Sequence, residues 1–154
     1  MSEQPLLDET LRIAVASWEQ HRSQLEQVRR SVFIDEQGVP AEIELDGEDI
    51  HCQHLLALDC SEQPARPVGT VRLLRDGRIG RLAVLKGYRR RGVGRQLLLE
   101  ILQAARQRGH DTLYLHAQSQ AQGFYTALGF QVEGDEFLEA GIPHINMVRK
   151  LSPE

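Results

Sequence analysis

The sequence predicts an α/β protein: a mixed β-sheet with helices packed on its faces. Three observations carry this. Short stretches of apolar–polar alternation, bounded by turn residues, mark strands. Two longer stretches repeat their apolar residues at helical spacing. Between residues 79 and 117 a strand, a glycine-containing loop, a helix and a second strand follow in order, a β-α-β unit whose strands run parallel. The Asp76-Gly77 turn just before it joins antiparallel neighbours, so the sheet must be mixed.

Leu11-Arg12-Ile13-Ala14-Val15-Ala16 alternates with period two and reads as the first strand. From Gln20 to Phe33, Leu25, Val28, Val32 and Phe33 recur at helical spacing, and Gly38 and Pro40 supply the stop. Residues 41–53 are acidic and read as a loop or a short second helix. His54–Asp59 and Val68–Arg75 read as strands, with Ile79–Val84 next beyond the Asp76-Gly77 turn. A helix then runs to about Arg108, its stripe formed by Leu97, Leu98, Ile101, Leu102 and Ala105, and Gly109 closes it. Thr112–Ala117 is the next strand and Gln120–Leu128 a shorter helix ending at Gly129. Two last strands, around Phe130–Glu136 and Ile145–Leu151, are joined through residues 139–143.

The chain has 154 residues, which fits one domain, 1–154. Its 41% hydrophobic and 26% charged residues exclude a collagenous or disordered chain, and no apolar run approaches the ~18 residues of a membrane span. The acidic opening MSEQPLLDET does not read as a signal peptide, and the two cysteines, Cys52 and Cys60, make no disulfide framework, so a cytoplasmic location is expected. Charge is unevenly spread. Residues 1–60 carry 4 basic and 13 acidic side chains, residues 61–110 carry 12 and 3, and residues 111–154 carry 2 and 6. A basic centre between acidic flanks points to an anion bound in the middle. With aromatics at 5%, that anion reads as a small phosphate ligand rather than nucleic acid.

The phosphate site is the loop Arg89-x-x-Gly92-x-Gly94 between strand and helix. A helix's first turn leaves backbone N–H groups without partners, and its dipole adds positive potential there. Glycines let a phosphate approach those groups, and Arg89, Arg90, Arg91 and Arg95 add charged donors. A dinucleotide fingerprint would need a third glycine where Leu97 stands, and a Walker A loop would need Gly-Lys-Ser/Thr; neither is present. His51-Cys52-x-His54, with Asp46 and Asp49 upstream, matches no zinc-ligand spacing, so no metal is expected.

The segment Arg89-Arg90-Arg91-Gly92-Val93-Gly94 resembles the pyrophosphate loop of the GCN5-related N-acetyltransferase (GNAT) superfamily. Ala121-x-x-Phe124-Tyr125-x-x-x-Gly129-Phe130 resembles that superfamily's second signature. Arg30-x-Val32-Phe33-x-x-Glu36-Gln37 and the run Phe137 to His144 resemble the bacterial ElaA-like and YjcF-like subgroup.

This resemblance implies the GNAT acyltransferase fold, with a splayed pair of parallel strands and acetyl-CoA lying in the gap as acetyl donor. Transfer to a primary amine would occur by direct attack in a ternary complex. Leu82, Ala83 and Val84 would line the pantetheine arm, with a backbone N–H near Val84 polarising the thioester carbonyl. Arg89, Arg90, Arg91, Gly92, Val93, Gly94 and Arg95 would hold the pyrophosphate. Gln118 and Phe124 complete the cofactor set, Gln118 standing where many members have asparagine. Tyr125 falls at the position that protonates the departing thiolate. Many members carry a glutamate base on the strand before the loop, but Ile79–Val84 has no carboxylate. Glu36, His54, His116 and His144 are therefore the base or acceptor-binding candidates, and the acidic stretch 42–49 would suit a cationic amine. The expected partner is a small-molecule or peptide amine, with no nucleic acid or membrane, for a monomer or homodimer. The alternative is a non-catalytic acyl-CoA-binding or regulatory module on the same fold.

Overall fold

A computed structural model of the chain describes residues 8–151. The opening segment read above as no signal peptide lies largely outside that range. Eight strands form one sheet: β1 (Leu11–Ala16), β2 (Gln53–Asp59), β3 (Arg66–Leu73), β4 (Arg78–Val84), β5 (Thr112–Gln118), β6 (Gln131–Val132), β7 (Phe137–Glu139) and β8 (Ile142–Lys150). Their order is β1-β2-β3-β4-β5-β8-β6, with β7 also paired to β8. Every pairing is antiparallel except β4–β5, which is parallel as the β-α-β unit requires.

Four α-helices accompany the sheet: α1 (Trp18–Arg29), α2 (Ala41–Glu44), α3 (Val93–Gln107) and α4 (Gln122–Ala127). Leu25 of α1 packs with Leu56 of β2, whereas Leu97 of α3 reaches the Ala57 side of the sheet beside Gly69. Neighbouring residues of a strand point to opposite faces, so α1 and α3 cover opposite sides. The α3 stripe is as the periodicity predicts: Leu97, Leu98, Ile101, Leu102 and Ala105 are all fully buried. Each buried Leu or Ile contributes about 1.5–3 kcal/mol, so this helix anchors the loop that precedes it. No helix among the described residues is long and apolar enough to cross a membrane.

Three features depart from the sequence reading. The first helix does not end at Phe33 but widens into a π-helical segment, Arg30–Glu36, in which Gln37 N–H donates to Val32 C=O at 3.2 Å. The wider turn carries Phe33 and Gln37 to the sheet's central cleft. The strand read as Phe130–Glu136 is only Gln131–Val132, and Phe137–Glu139, assigned to neither of the last two strands, forms β7, joined to β8 by Ala140 and Gly141 at φ 51° and 75°. Two successive positive φ values make the tight turn that matches the twist of a hairpin. The third departure is the acidic stretch, whose carboxylates are drawn into the protein. The Asp76-Gly77 turn holds as predicted, and Gly77 is required there. Its φ is +94°, and a Cβ would stand 2.8 Å from the Thr112 carbonyl oxygen.

Candidate active site

Strands β4 and β5 pair only at Arg78↔Tyr114 and Ile79↔Leu115, then run on without further ladder bonds. A cleft of about 360 Å³ opens there, reached by Leu82, Gln118, Tyr125 and His144 among others. A bulge widens it. Thr70 pairs with Ala83 but Arg72 with Gly80, which leaves an extra residue on β4. Arg81 there has φ +53°, a left-handed backbone costing a non-glycine residue roughly 1–2 kcal/mol. Beyond Ile79 the β5-side edge of Leu82, Ala83 and Val84 has no strand partner, so it is open to a ligand arm.

Beyond the end of β4, past the residues that line the cleft, stands the start of α3. Gly92 caps it with φ 82° and no side chain caps the first turn, so the N–H groups of Val93, Gly94 and Arg95 lack helical acceptors. Gly94 packs against Val84 and Phe124, whose atoms would lie 3.7 and 3.8 Å from a Cβ there. Arg90 and Arg95 make no ion pair among the described residues. Arg89 is bound through both terminal nitrogens to Glu36, at 2.7 and 2.8 Å, while its Nε donates to the Val84 carbonyl at 2.9 Å. Arg91 pairs with Asp8 at 3.0 Å and lies over the Tyr88 ring. Orphaned helix donors with two free guanidinium groups are the donor set a diphosphate needs, so these residues fit the pyrophosphate of a coenzyme A ester.

Tyr125 lines the middle of the cleft, its ring held edge-on by Phe124 and Phe130 at centroid distances of 5.1 and 6.0 Å. Its hydroxyl makes no hydrogen bond with the described residues, and burial pushes its pKa up to about 12. It therefore holds its proton at any working pH. Gln118 donates to Gln37 Oε1 and accepts from Gln120 Nε2, both at 2.8 Å, so its amide is already engaged at both ends.

At the other end the strands bring together residues far apart in sequence. His116 and Gln118 share a face of β5 by alternation, and His144 lies opposite Gln118 across β8 and opposite Phe137 across β7. His116 Nδ1 contacts Glu139 Oε1 at 2.9 Å and Arg78 Nη2 at 3.0 Å. His144 Nδ1–H donates to the Ile142 carbonyl at 2.7 Å, which puts the neutral ring's lone pair on Nε2, 3.6 Å from Glu139 Oε2. Burial acts to raise Glu139's pKa, but the His116 hydrogen bond and the charges of His116, His144 and Arg78 bring it below the usual range. The sequence reading missed Glu139, which lines the cleft, because its partners sit on three other strands, β4, β5 and β8.

Two base candidates stand elsewhere. Glu36 is bound to Arg89, whose hydrogen bond lowers its pKa, and does not line the cleft. His54 is buried beneath Trp18, 5.9 Å away ring to ring, with Nε2 bonded to the Asp49 carbonyl at 2.9 Å. Burial lowers its pKa, so it is a neutral core residue. The acidic stretch is not a free anionic lip: Glu44 and Asp49 are fully buried on Arg29, and Asp46 is held by Arg72. Asp49, Cys52 and His54 do place ligand-type atoms within 4.8 Å of one another. Yet the Asp49 carboxylate is taken by two arginines, and the Cys52 thiol, pushed up to about 11 by burial, donates to Glu48 C=O. That donor set does not fit a metal.

The description "Acetyltransferase (GNAT) domain" matches residues 21–151. The uncharacterized N-acetyltransferase YjcF of Bacillus subtilis is 39% identical over 126 residues, covering 79% of this chain and 87% of that one. The crystal structure of an acyl-CoA N-acyltransferase from Pseudomonas aeruginosa is 32% identical with a TM-score of 0.77, covering 90% of this chain and 99% of that one. Escherichia coli ElaA, also a crystal structure, is 28% identical with a TM-score of 0.78, covering 91% and 99%.

Proposed function

The chain belongs to the GNAT acetyltransferase family, and from that premise we propose that residues 1–154 form one acetyl-CoA-dependent N-acetyltransferase domain acting on a primary amine. The observation that carries this is the parted β4–β5 pair, with an unbonded Tyr125 hydroxyl in its cleft and, beyond the end of β4, orphaned helix donors beside Val84 and Phe124. Acetyl-CoA, when bound, supplies an activated thioester.

The chain's own residues then have distinct tasks. The first turn of α3, with Arg90 and Arg95, holds the pyrophosphate. The free edge of Leu82–Val84 aligns the pantetheine, and a backbone N–H near Val84 donates to the thioester oxygen. His144 takes the amine's proton on Nε2, and Glu139 stabilises the resulting imidazolium, so the base comes from β8 rather than β4. Tyr125 would give its hydroxyl proton to the thiolate that leaves as the amine takes the acetyl group. His116 positions Glu139.

Thermal unfolding with acetyl-CoA, CoA, NAD and ATP in parallel tests the cofactor assignment. At ~100 times its dissociation constant a ligand adds about 2.7 kcal/mol, a shift of several degrees in a domain of this size. The expected result is stabilisation by the two coenzyme A species alone; stabilisation by NAD or ATP instead would overturn the assignment. A second prediction concerns the base. His144→Ala should lower kcat ~10²-fold or more, with acetyl-CoA stabilisation unchanged. A kcat that survives the substitution would move the base elsewhere.

A further inference from the structure

Three buried arginines meet three carboxylates beside the acceptor end of the cleft, but they do not share them evenly. Arg29 binds both oxygens of Glu44, at 2.5 and 3.0 Å, and both of Asp49, at 2.6 and 3.2 Å. Arg72 binds both oxygens of Asp46, at 3.0 and 2.5 Å, and Asp49 Oδ1 at 2.9 Å. Arg81 is left with the carbonyls of Glu44 at 2.9 Å and Ile43 at 3.3 Å and one long contact, 3.5 Å, to the already occupied Asp46 Oδ2. Its Nε is buried without a hydrogen bond, 3.9 Å from Glu44 Oε1, and the Nε of Arg72 is likewise unbonded. Burial is offset by these partners for Arg29 and Arg72, whose pKa values are raised; for Arg81 burial and the Arg72 charge prevail and lower it. Of the three, Arg81 is the one that lines the cleft, aimed there by the left-handed backbone of the β4 bulge.

Arg81 thus lines the cavity with only long carboxylate contacts, 3.5 and 3.9 Å, and its Nη1 makes no hydrogen bond among the described residues; such a guanidinium is completed by an anion entering that cavity. The opposite wall carries Glu139 and His144, which suit an amine. We propose that Arg81 binds a carboxylate of the acceptor, so that the acetylated molecule is an amino acid, its amine directed to Glu139 and His144 and its carboxylate to Arg81. This rests on the acetyltransferase reading above.

Matched pairs test it. Glycine, β-alanine, γ-aminobutyrate, ε-aminocaproate and phenylalanine are each compared with their own carboxamide, by thiol release from acetyl-CoA. At least one carboxylate should exceed its carboxamide about tenfold or more in kcat/KM, the range of a charge-assisted hydrogen bond. Arg81→Gln should erase that preference through KM while acetyl-CoA stabilisation persists, and Arg81→Lys should restore part of it. Equal turnover of acids and amides overturns the inference, as does a loss of kcat common to both members in Arg81→Gln, which would put Arg81 at the thioester. If benzylamine is acetylated and none of the amino acids is, this inference falls and the acetyltransferase reading stands. If no amine releases thiol and acetyl-CoA does not stabilise the protein, that reading falls first and takes this one with it.

Discussion

Replacing Tyr125 by phenylalanine is expected to lower kcat by ~10²-fold or more while leaving fold stability and acetyl-CoA stabilisation nearly unchanged. The hydroxyl makes no hydrogen bond with the described residues, so its removal orphans no partner, and the ring keeps its edge-on contacts to Phe124 and Phe130. Structural cost is therefore small, and a large kinetic effect would report chemistry alone. At about 12, the phenol looks too weak an acid for an ordinary thiolate near 8.5. The mismatch narrows in place, because the same dry surroundings also raise the pKa of the sulfur that departs into them. Acetyl-CoA consumption at saturating amine, with thermal unfolding of the same variant, is the measurement. Unchanged kcat would mean that the thiolate leaves unprotonated, or that acylation is not what the cleft does.

What was legible in the sequence follows from how local each signal is. β1, α3 and the Asp76-Gly77 turn declare themselves within a dozen residues, by alternation, by a helical stripe and by turn chemistry, and they stand where expected. The glycine loop between β4 and α3 was equally plain, because a glycine pair between strand and helix is a local pattern. The π-helical segment was not, because Val32, Phe33 and Ile34 are apolar in succession and favour no single period. Nor was the function of the acidic stretch. Glu44 and Asp49 find Arg29 at separations of 15 and 20 residues, and Asp46 finds Arg72 at 26. Charges that pair across such distances look, in sequence, like a solvated run. The pairing of His116 and His144 with Glu139 is hidden for the same reason: three strands must assemble before those side chains meet. Arg81 left no trace of this kind: the sequence shows only that the strand Ile79–Val84 has no carboxylate.

The buried arginine network makes the second large prediction. Arg29→Met should destabilise the protein by about 3–5 kcal/mol, since breaking one partner of a buried pair strands the other. At about 2–4 °C per kcal/mol for this size, Tm should fall by roughly 6–20 °C. The pH dependence separates this from simple loss of packing around Trp18, whose ring lies 5.4 Å from the Arg29 guanidinium. In the native protein burial acts to raise the pKa of Asp49, and the hydrogen bond and charge of Arg29, with Arg72, more than reverse it. A depressed pKa contributes stability above the unfolded value, near 3.8, that is lost only as pH falls below it. Without Arg29 the largest remaining influence on Asp49 is burial, so its folded pKa rises and protonation relieves the stranded charge. The stability gap between native and variant should therefore shrink as pH is lowered from 7 towards 4. A gap that stays constant over that range would show that Arg29 acts through packing instead. Because Ile43 and Glu44 hang from the same network and border the cleft, the variant should also raise KM for the acceptor more than for acetyl-CoA, tying the fold's buried charges to the site they position.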